Sequence, residues 1–373
     1  MTSTVLFAGG GTGGHLMPAL AIADAMVAED PTIEPFFVGA KRGVEATVLP
    51  SRKWRYQLLP FEPIYRRKWW KNFLLPFSAI RALRGVREIL RREQPVLAIG
   101  TGGYASGPAL WAATGRGIPI ILQEQNAFPG YATRRLARQA AQIHLGFPEA
   151  ESFLTPGPRT KVFDSGNPIV PPPADWLSVD GRRPTVDGKR ALGFDSNRPL
   201  VLVTGGSQGA MGINAVVGQA IRTGRWPAEV QLLWQTGAAG FDQFKELSTV
   251  DCRLSTFIDP MASAWAAADL VIARGGASTS ADIAAWGLPS VLIPLPTSAA
   301  NHQLKNAQAL SEAGAAVLLE QKKLTVDTLV STVGNLLGDS AELAGIAAKA
   351  KLRGRPFAAR EIAREALRLL SNS

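Results

Sequence analysis

The chain has 373 residues, 46% apolar and 19% charged, which excludes a disordered or fibrous protein and allows two domains with full cores. A net charge of +10 points to an anionic partner: nucleic acid, acidic lipid or a phosphorylated substrate. The single cysteine, Cys252, rules out an internal disulfide and fits a reducing compartment. The opening "MTSTVLFAGGG" has no basic region and too short an apolar run for a signal peptide, and no stretch reaches the roughly 18 apolar residues of a spanning helix, so a cytoplasmic protein is expected.

The elements alternate. "TVLFAGG" reads as a short apolar strand, and "PALAIADAMVAE" as the helix after it, with Pro18 in its first turn. "IEPFFVGA", "PVLAIGTGG" and "GIPIILQEQN" read as further strands. The pattern then restarts with "RPLVLVTGGSQGAMGINAVVGQAI", again strand, glycine loop and helix. "EVQLLWQTG", "CRLSTFID", "ADLVIARGG" and "LPSVLIPLP" supply its later strands. Continuous apolar strands separated by helices imply parallel sheets covered on both faces. Prolines at 168, 171, 172 and 173 mark an irregular connection, which sets a boundary near Gly166. The expected architecture is α/β, two doubly wound Rossmann-like domains (1–165 and 166–355) facing across a cleft, with an amphipathic helix over 356–373.

Four glycine-rich stretches fall at strand-to-helix turns: Gly9 to Gly14, "TGGYASG" from Thr101, "GGSQG" ending at Gly209, and "RGGAST" from Arg274. Such turns present free backbone N–H groups and a positive helix end, which suits phosphate. A close strand–helix contact explains any one of them, but four of them, two per half, weaken that explanation. None ends in the Lys-Ser/Thr of a P-loop, which excludes a kinase or ATPase of that type. An NAD site needs an acid at the end of the second strand; "FFVGAKRG" offers Lys41 and Arg42 instead. NAD is therefore disfavoured, and an NADP-dependent oxidoreductase stays open on the residues alone.

The segments "GGGTGGHLMPALAIA", "TGGYASGPAL", "QEQNAFPG", "GNP", "TGGSQGA", "WQTG", "FIDPMASAWAAADLVIARGGAST" and "NHQLKNA" run in the order found in the MurG glycosyltransferases, and the chain resembles that family from Val5 to about Gly314. The resemblance implies the GT-B fold, with the donor nucleotide in the C-terminal domain, the acceptor in the N-terminal one, and a C-terminal helix crossing back to the first domain. It implies inverting transfer of N-acetylglucosamine from UDP-GlcNAc to the 4-hydroxyl of lipid I, an undecaprenyl-linked muramyl-pentapeptide. The products are lipid II and UDP, in peptidoglycan biosynthesis. It leaves room for contacts with other cell-wall synthesis and division proteins, and it places the chain on the cytoplasmic face of the inner membrane.

The reaction needs a base for the acceptor hydroxyl and stabilisation of the departing UDP, neither of which requires a metal or a cofactor. His15 opens a helix beside Thr12, Gly13 and Gly14, where an imidazole can serve as base or touch acceptor phosphate; the plainer reading is a hydrogen bond that holds the loop closed. Glu124 is the other acid–base candidate, against a salt bridge. Thr101, Gly102, Gly103 and Tyr104 form the second acceptor loop. Arg274 ends an apolar strand, where a guanidinium is costly unless it meets an anion; diphosphate is expected, with Ser207, Gln208 and Gly209 on the same phosphates. By resemblance, Asn126 contacts sugar hydroxyls, Phe257 and Ile258 lie against the uracil, and His302 and Gln303 address the donor sugar. Asp282 departs from the family's ribose-binding glutamate by a shorter arm. Val170 stands where the family commonly has an arginine. His15, His144 and His302 lack metal-ligand spacing, so no metal is expected.

Between residues 64 and 92 nine Lys or Arg face one acid, Glu88, and Lys68, Trp69, Trp70, Lys71 and Phe73 interleave charge with aromatic rings. That mixture suits an anionic membrane surface; a solvated helix with a core strip is the plainer account. No nucleic-acid motif accompanies it. A non-catalytic peripheral membrane protein with a degenerate nucleotide site is the third reading.

Overall fold

A computed structural model describes residues 2–62, 73, 75–177, 185–206 and 209–371, and the chain divides into two units: Met1–Ile169 with Phe357–Ser373, and Val170–Pro356. The first is built on seven strands, β1 (Ser3–Gly9), β2 (Ile33–Ala40), β3 (Arg55–Leu59), β4 (Leu97–Gly102), β5 (Ile120–Glu124), β6 (Gln142–Leu145) and β7 (Lys161–Phe163). All pair in parallel, in the order β3-β2-β1-β4-β5-β6-β7. The apolar run of β1 buries Val5, Leu6, Phe7 and Ala8 completely, as a strand covered on both faces must. Phe7 lies opposite Phe37 of β2, with their rings stacked at 5.1 Å.

The helices of this unit are α1 (Gly13–Glu29), α2 (Glu45–Val48), α3 (Leu75–Glu93), α4 (Ser106–Thr114) and α5 (Tyr131–Leu136). Helix α1 starts five residues before the "PALAIADAMVAE" segment, at the glycines themselves, so Pro18 sits in its second turn. The glycines are poor helix formers, but burial of Leu16, Ala19, Leu20 and Ile22 on the sheet outweighs that preference. Residues 166–169 belong to the first unit, beyond the boundary expected at Gly166, because Asn167 is buried and hydrogen-bonded there.

In the second unit the strands are β8 (Leu200–Thr204), β9 (Gln231–Gln235), β10 (Cys252–Ser255), β11 (Leu270–Ala273), β12 (Ser290–Leu292) and β13 (Val317–Leu318). They form a parallel sheet ordered β10-β9-β8-β11-β12-β13. Helices α6 (Ala174–Leu177), α7 (Thr185–Ala191), α8 (Met211–Arg222), α9 (Ala238–Phe244), α10 (Met261–Ala267), α11 (Ala277–Trp286), α12 (His302–Glu312), α13 (Val326–Gly338) and α14 (Ser340–Arg353) complete it. Trp234 anchors its core, with the indole N–H donated to Asn214 Oδ1 at 3.0 Å.

Each sheet reverses its strand order once, between β1 and β4 and between β8 and β11. That reversal is the topological switch point where α/β sheets bind ligands. The four glycine-rich turns leave β1, β4, β8 and β11, so two stand at each switch point.

The C-terminal helix α15 (Ala358–Ser371) packs on α1. Ile362, Ala363 and Ala366 enter the core beside Leu16, Ala19 and Met26. Glu29 accepts hydrogen bonds from Arg360 (2.5 Å) and Arg364 (3.0 Å), and these hold its carboxyl below the usual range. Because Ile362 is fully buried, Ile362→Ala is expected to destabilise the first unit by about 2–5 kcal/mol, read as a lower urea midpoint.

Candidate functional site

At the first switch point, the turns after β1 and β4 are bound to each other. Thr101 Oγ1 donates to the His15 carbonyl at 2.7 Å, and His15 Nδ1 meets the Thr101 carbonyl at 3.0 Å and Gln125 Oε1 at 2.9 Å. A carbonyl only accepts, so Nδ1 carries a proton, and in the neutral ring the lone pair is therefore on Nε2. Among the described residues nothing bonds Nε2. Gly102 makes this approach possible: its φ is +92°, and a Cβ there would lie 2.8 Å from His15 Nδ1. Helix α1 has no acid in its first turn, and Thr12 gives it no side-chain cap. Its first N–H groups, at Gly13 and Gly14, are therefore available to an anion.

Two glutamates shape these loops. Glu124 is buried, and its carboxylate accepts from four donors: Asn126 N–H (3.1 Å), Asn126 Nδ2 (3.3 Å), Gly130 N–H (2.9 Å) and Thr133 Oγ1 (2.7 Å). It forms no salt bridge among these contacts; it closes the turn into α5 and aligns Asn126. Glu45, which the sequence did not single out, is fully buried, and Oε1 accepts from Gly11 N–H (2.8 Å) and Ala40 N–H (3.2 Å). Tyr104 donates to the Arg42 carbonyl at 2.7 Å, tying the same loops together. Glu45 lies in no quoted motif, and Gln125, although inside "QEQNAFPG", was given no role of its own.

At the second switch point, Arg274 leaves β11 into the turn before α11 and is buried. Its Nη1 donates to the Ile293 carbonyl (3.0 Å) and Gln321 Oε1 (2.7 Å), both neutral, and burial pushes its pKa down to about 10. Helix α11 also begins with no acid and no side-chain cap. A buried cation beside free helix N–H groups is the arrangement that takes a diphosphate. The neighbouring turn after β8 is held by Gln235, which the sequence placed inside "WQTG" without a role of its own. Its Nε2 donates to the Gly206 carbonyl at 2.9 Å, and its Oε1 accepts Ile258 N–H at 2.8 Å. The Ile258 amide is thus already engaged, so its carbonyl is the main-chain group left for a base. Gly209, at φ +73°, packs against the Thr236 carbonyl.

Phe257 is 56% exposed, so its side chain is not part of the core. His302 starts α12, and Gln303 Oε1 accepts Leu295 N–H at 2.9 Å, bracing the loop after β12. Asp282 lies on α11 and is partly buried; desolvation pushes its carboxyl up to about 7. Val170 is exposed. Ser207 and Gln208 lie outside the described residues, as do Lys68, Trp69, Trp70 and Lys71. In the first unit Phe73 and Phe77 are exposed, and α3 buries Val86 and Ile89 while showing Arg81, Arg84, Arg87 and Arg91 to solvent. A cavity of about 1210 Å³ at the amino edge of β5 to β7 is lined by Arg87, Arg116, Arg138, Arg159, Lys161 and Arg368. His144 is an interior group: buried, stacked on Phe163 at 4.9 Å, with its pKa lowered to about 3 by desolvation.

Residues 5–145 match the glycosyltransferase family 28 N-terminal domain, and residues 200–362 match the glycosyltransferase family 28 C-terminal domain. The chain is 40% identical over 371 residues to the UDP-N-acetylglucosamine--N-acetylmuramyl-(pentapeptide) pyrophosphoryl-undecaprenol N-acetylglucosamine transferase of Chlorobaculum tepidum, covering 98% of this chain and 99% of that one. It is 38% identical to the protein of the same name in Salinibacter ruber, over 98% of this chain and 96% of that one. The crystal structure of Acinetobacter baumannii MurG superposes with a TM-score of 0.76 at 25% identity, covering 97% and 98% of the two chains. The Staphylococcus aureus MnaA–UDP structure, at 14% identity and a TM-score of 0.66, shares the fold alone.

The raised Asp282 pKa sets a pH dependence. Below about pH 4 the carboxyl is protonated in both the folded and unfolded chain; between about 4 and 7 only the folded chain keeps the proton, so stability falls as pH rises. Asp282→Asn is therefore expected to match the parent protein near pH 4, gain on it steadily up to pH 7, and hold a constant lead above that. Thermal melts across this range check it.

Proposed function

This chain belongs to the MurG family of UDP-N-acetylglucosamine--N-acetylmuramyl-(pentapeptide) pyrophosphoryl-undecaprenol N-acetylglucosamine transferases, and on that premise we propose how its residues divide the work. The chain is a UDP-GlcNAc-dependent glycosyltransferase that converts lipid I to lipid II in peptidoglycan synthesis. In our reading the second unit holds the donor and the first the acceptor.

The observation that carries this assignment is Arg274, a buried cation whose hydrogen-bond partners among the described residues are neutral, at the N-terminus of an uncapped helix. The UDP diphosphate supplies the missing negative charge. The first N–H groups of α11 share it with Ser207, Gln208 and Gly209. Asp282 accepts from ribose hydroxyls, Phe257 and the Ile258 main chain lie along the uracil, and His302 and Gln303 face the sugar. On the first unit the α1 N-terminus takes the acceptor diphosphate, Asn126 and the loop from Thr101 to Tyr104 orient the muramyl sugar, and His15 Nε2 is the base. The 4-hydroxyl oxygen forms its bond to the sugar carbon from the face opposite UDP. The carbon–phosphate-oxygen bond breaks as Nε2 takes the proton, and the configuration inverts. Glu124 serves the same step by holding Asn126 and the turn in place.

The finer membrane reading is also a proposal. No helix among the described residues is long and apolar enough to cross a membrane. The lipid-linked substrate, the exposed Phe73 and Phe77, the arginine face of α3 and the basic cavity beside it support docking on anionic headgroups at the cytoplasmic surface.

Two measurements test these assignments. Arg274→Ala is expected to lower kcat by about 10²–10³-fold and to remove the thermal shift given by UDP-GlcNAc, with NADPH giving none in either protein; an unchanged shift moves the diphosphate elsewhere. Exchanging Phe77 and Arg87 together for serine is expected to reduce co-sedimentation with anionic vesicles while leaving turnover of a detergent-dispersed acceptor intact. Equal sedimentation overturns the membrane reading.

A further inference from the structure

Behind His15 the first unit buries three side-chain amides that the reaction does not use directly. Gln125 Nε2 donates to the Thr101 carbonyl (2.7 Å), the Gln123 carbonyl (3.1 Å) and Gln123 Oε1. Gln123 Nε2 donates to Asn167 Oδ1 (3.1 Å), and Asn167 Nδ2 donates to the Gln125 carbonyl (2.9 Å). Gln123, Gln125 and Asn167 are each at most 3% exposed. The orientations of Gln125 and Asn167 each follow from a backbone carbonyl, which only accepts, and Gln123 follows from those two. The Gln125 nitrogen must face Thr101 and Gln123, so its oxygen must face His15. The Asn167 nitrogen must face the Gln125 carbonyl, so its oxygen must receive Gln123. The dipoles thus run head to tail from Asn167 to the imidazole.

We propose that Gln125 is a positioning residue which, backed by Gln123 and Asn167, locks His15 in the Nδ1–H tautomer and aims its bare Nε2 as proton acceptor. This rests on the assignment of His15 as base. One accepting carbonyl at Thr101 fixes where the proton sits; the second oxygen, from Gln125, fixes the plane of the ring. With both in place the ring neither flips nor rotates away, and no reorganisation accompanies proton transfer. The last link, Asn167, lies two residues before the first unit ends at Ile169, so the base is set by the segment through which the chain leaves that unit. Gly146 belongs to the same device: a side chain there would collide with Asn167.

Nitrogen-15 correlation spectra of the imidazoles above neutral pH read the tautomer directly in the parent protein. His144 is an internal reference of opposite kind: Gln142 Nε2 donates to the Glu365 carbonyl at 3.0 Å, so Gln142 Oε1 accepts from His144 Nε2–H. His15 is expected as Nδ1–H beside His144 as Nε2–H; an Nε2–H His15 overturns the proposal without any variant. Gln125→Met keeps the volume and removes the accepting oxygen. It is expected to lower kcat roughly tenfold to hundredfold with both KM values within about twofold, and to cost nothing further in a His15→Ala background. A full additive loss in that background means Gln125 acts elsewhere, and wild-type kcat in Gln125→Met beside an inactive His15→Ala also overturns it. Wild-type kcat in His15→Ala itself sinks the base assignment instead.

Discussion

Parallel pairing forces every strand in a sheet to release its chain at one edge, and the rest of this molecule follows from that constraint. In each unit the backbone N–H groups of several helix starts collect along the same border. Where the strand order reverses, the helices after the two central strands leave toward opposite faces and the border is left open. Thr101 and His15 are 86 positions apart, yet parallel pairing of β1 with β4 puts the hydroxyl of one within 2.7 Å of the carbonyl of the other. Both switch points are built this way, and each carries uncapped helix starts without an acid. The two differ in what has been added to the amides: an imidazole in the first unit, a guanidinium in the second.

That difference suits the two halves of a glycosyl transfer. A leaving diphosphate needs fixed positive charge, and in the proposed donor site Arg274 is the buried cation placed to supply it. An attacking hydroxyl needs instead a neutral group with a free lone pair, and a second fixed cation there would suppress the base. In the first unit the described partners of the His15 ring are the Thr101 carbonyl and the Gln125 amide oxygen, both uncharged.

Much of this was legible in the sequence because it is written in backbone demands. Short unbroken apolar runs rich in valine, such as "LVLVT" and "LVIA" with glycines following, read as doubly covered strands, and the glycine pairs after them mark turns that a Cβ would obstruct. His15 and Arg274 stood out for the same reason, as polar side chains at the exits of apolar strands. Short strands escaped notice: β13 has two residues, and β7 begins at an exposed lysine, so neither shows a periodic signal. The start of α1 was displaced because glycine propensity argues against a helix that tertiary burial nevertheless forms. Glu45 was invisible, and Gln235 and Gln125 were quoted only inside longer segments without a role, since the value of each depends on a carbonyl or amide brought to it from a distant loop.

The buried amides show why such residues resist prediction and why they mark the site. An amide taken out of water costs about as much as its hydrogen bonds return, so a cluster of them adds little stability over apolar packing. What it adds is direction: each group has one orientation that satisfies its neighbours, and a chain of them has one orientation in total. Apolar packing at Gln123, Gln125 and Asn167 would hold the strands together equally well and leave the imidazole free to turn. Their presence under His15 is therefore explained by the geometry of proton transfer rather than by folding. The same logic separates His144, whose two nitrogens are both engaged by Ser165 and Gln142. With no lone pair left over, that ring only packs and bridges, whereas His15 has a nitrogen to spare.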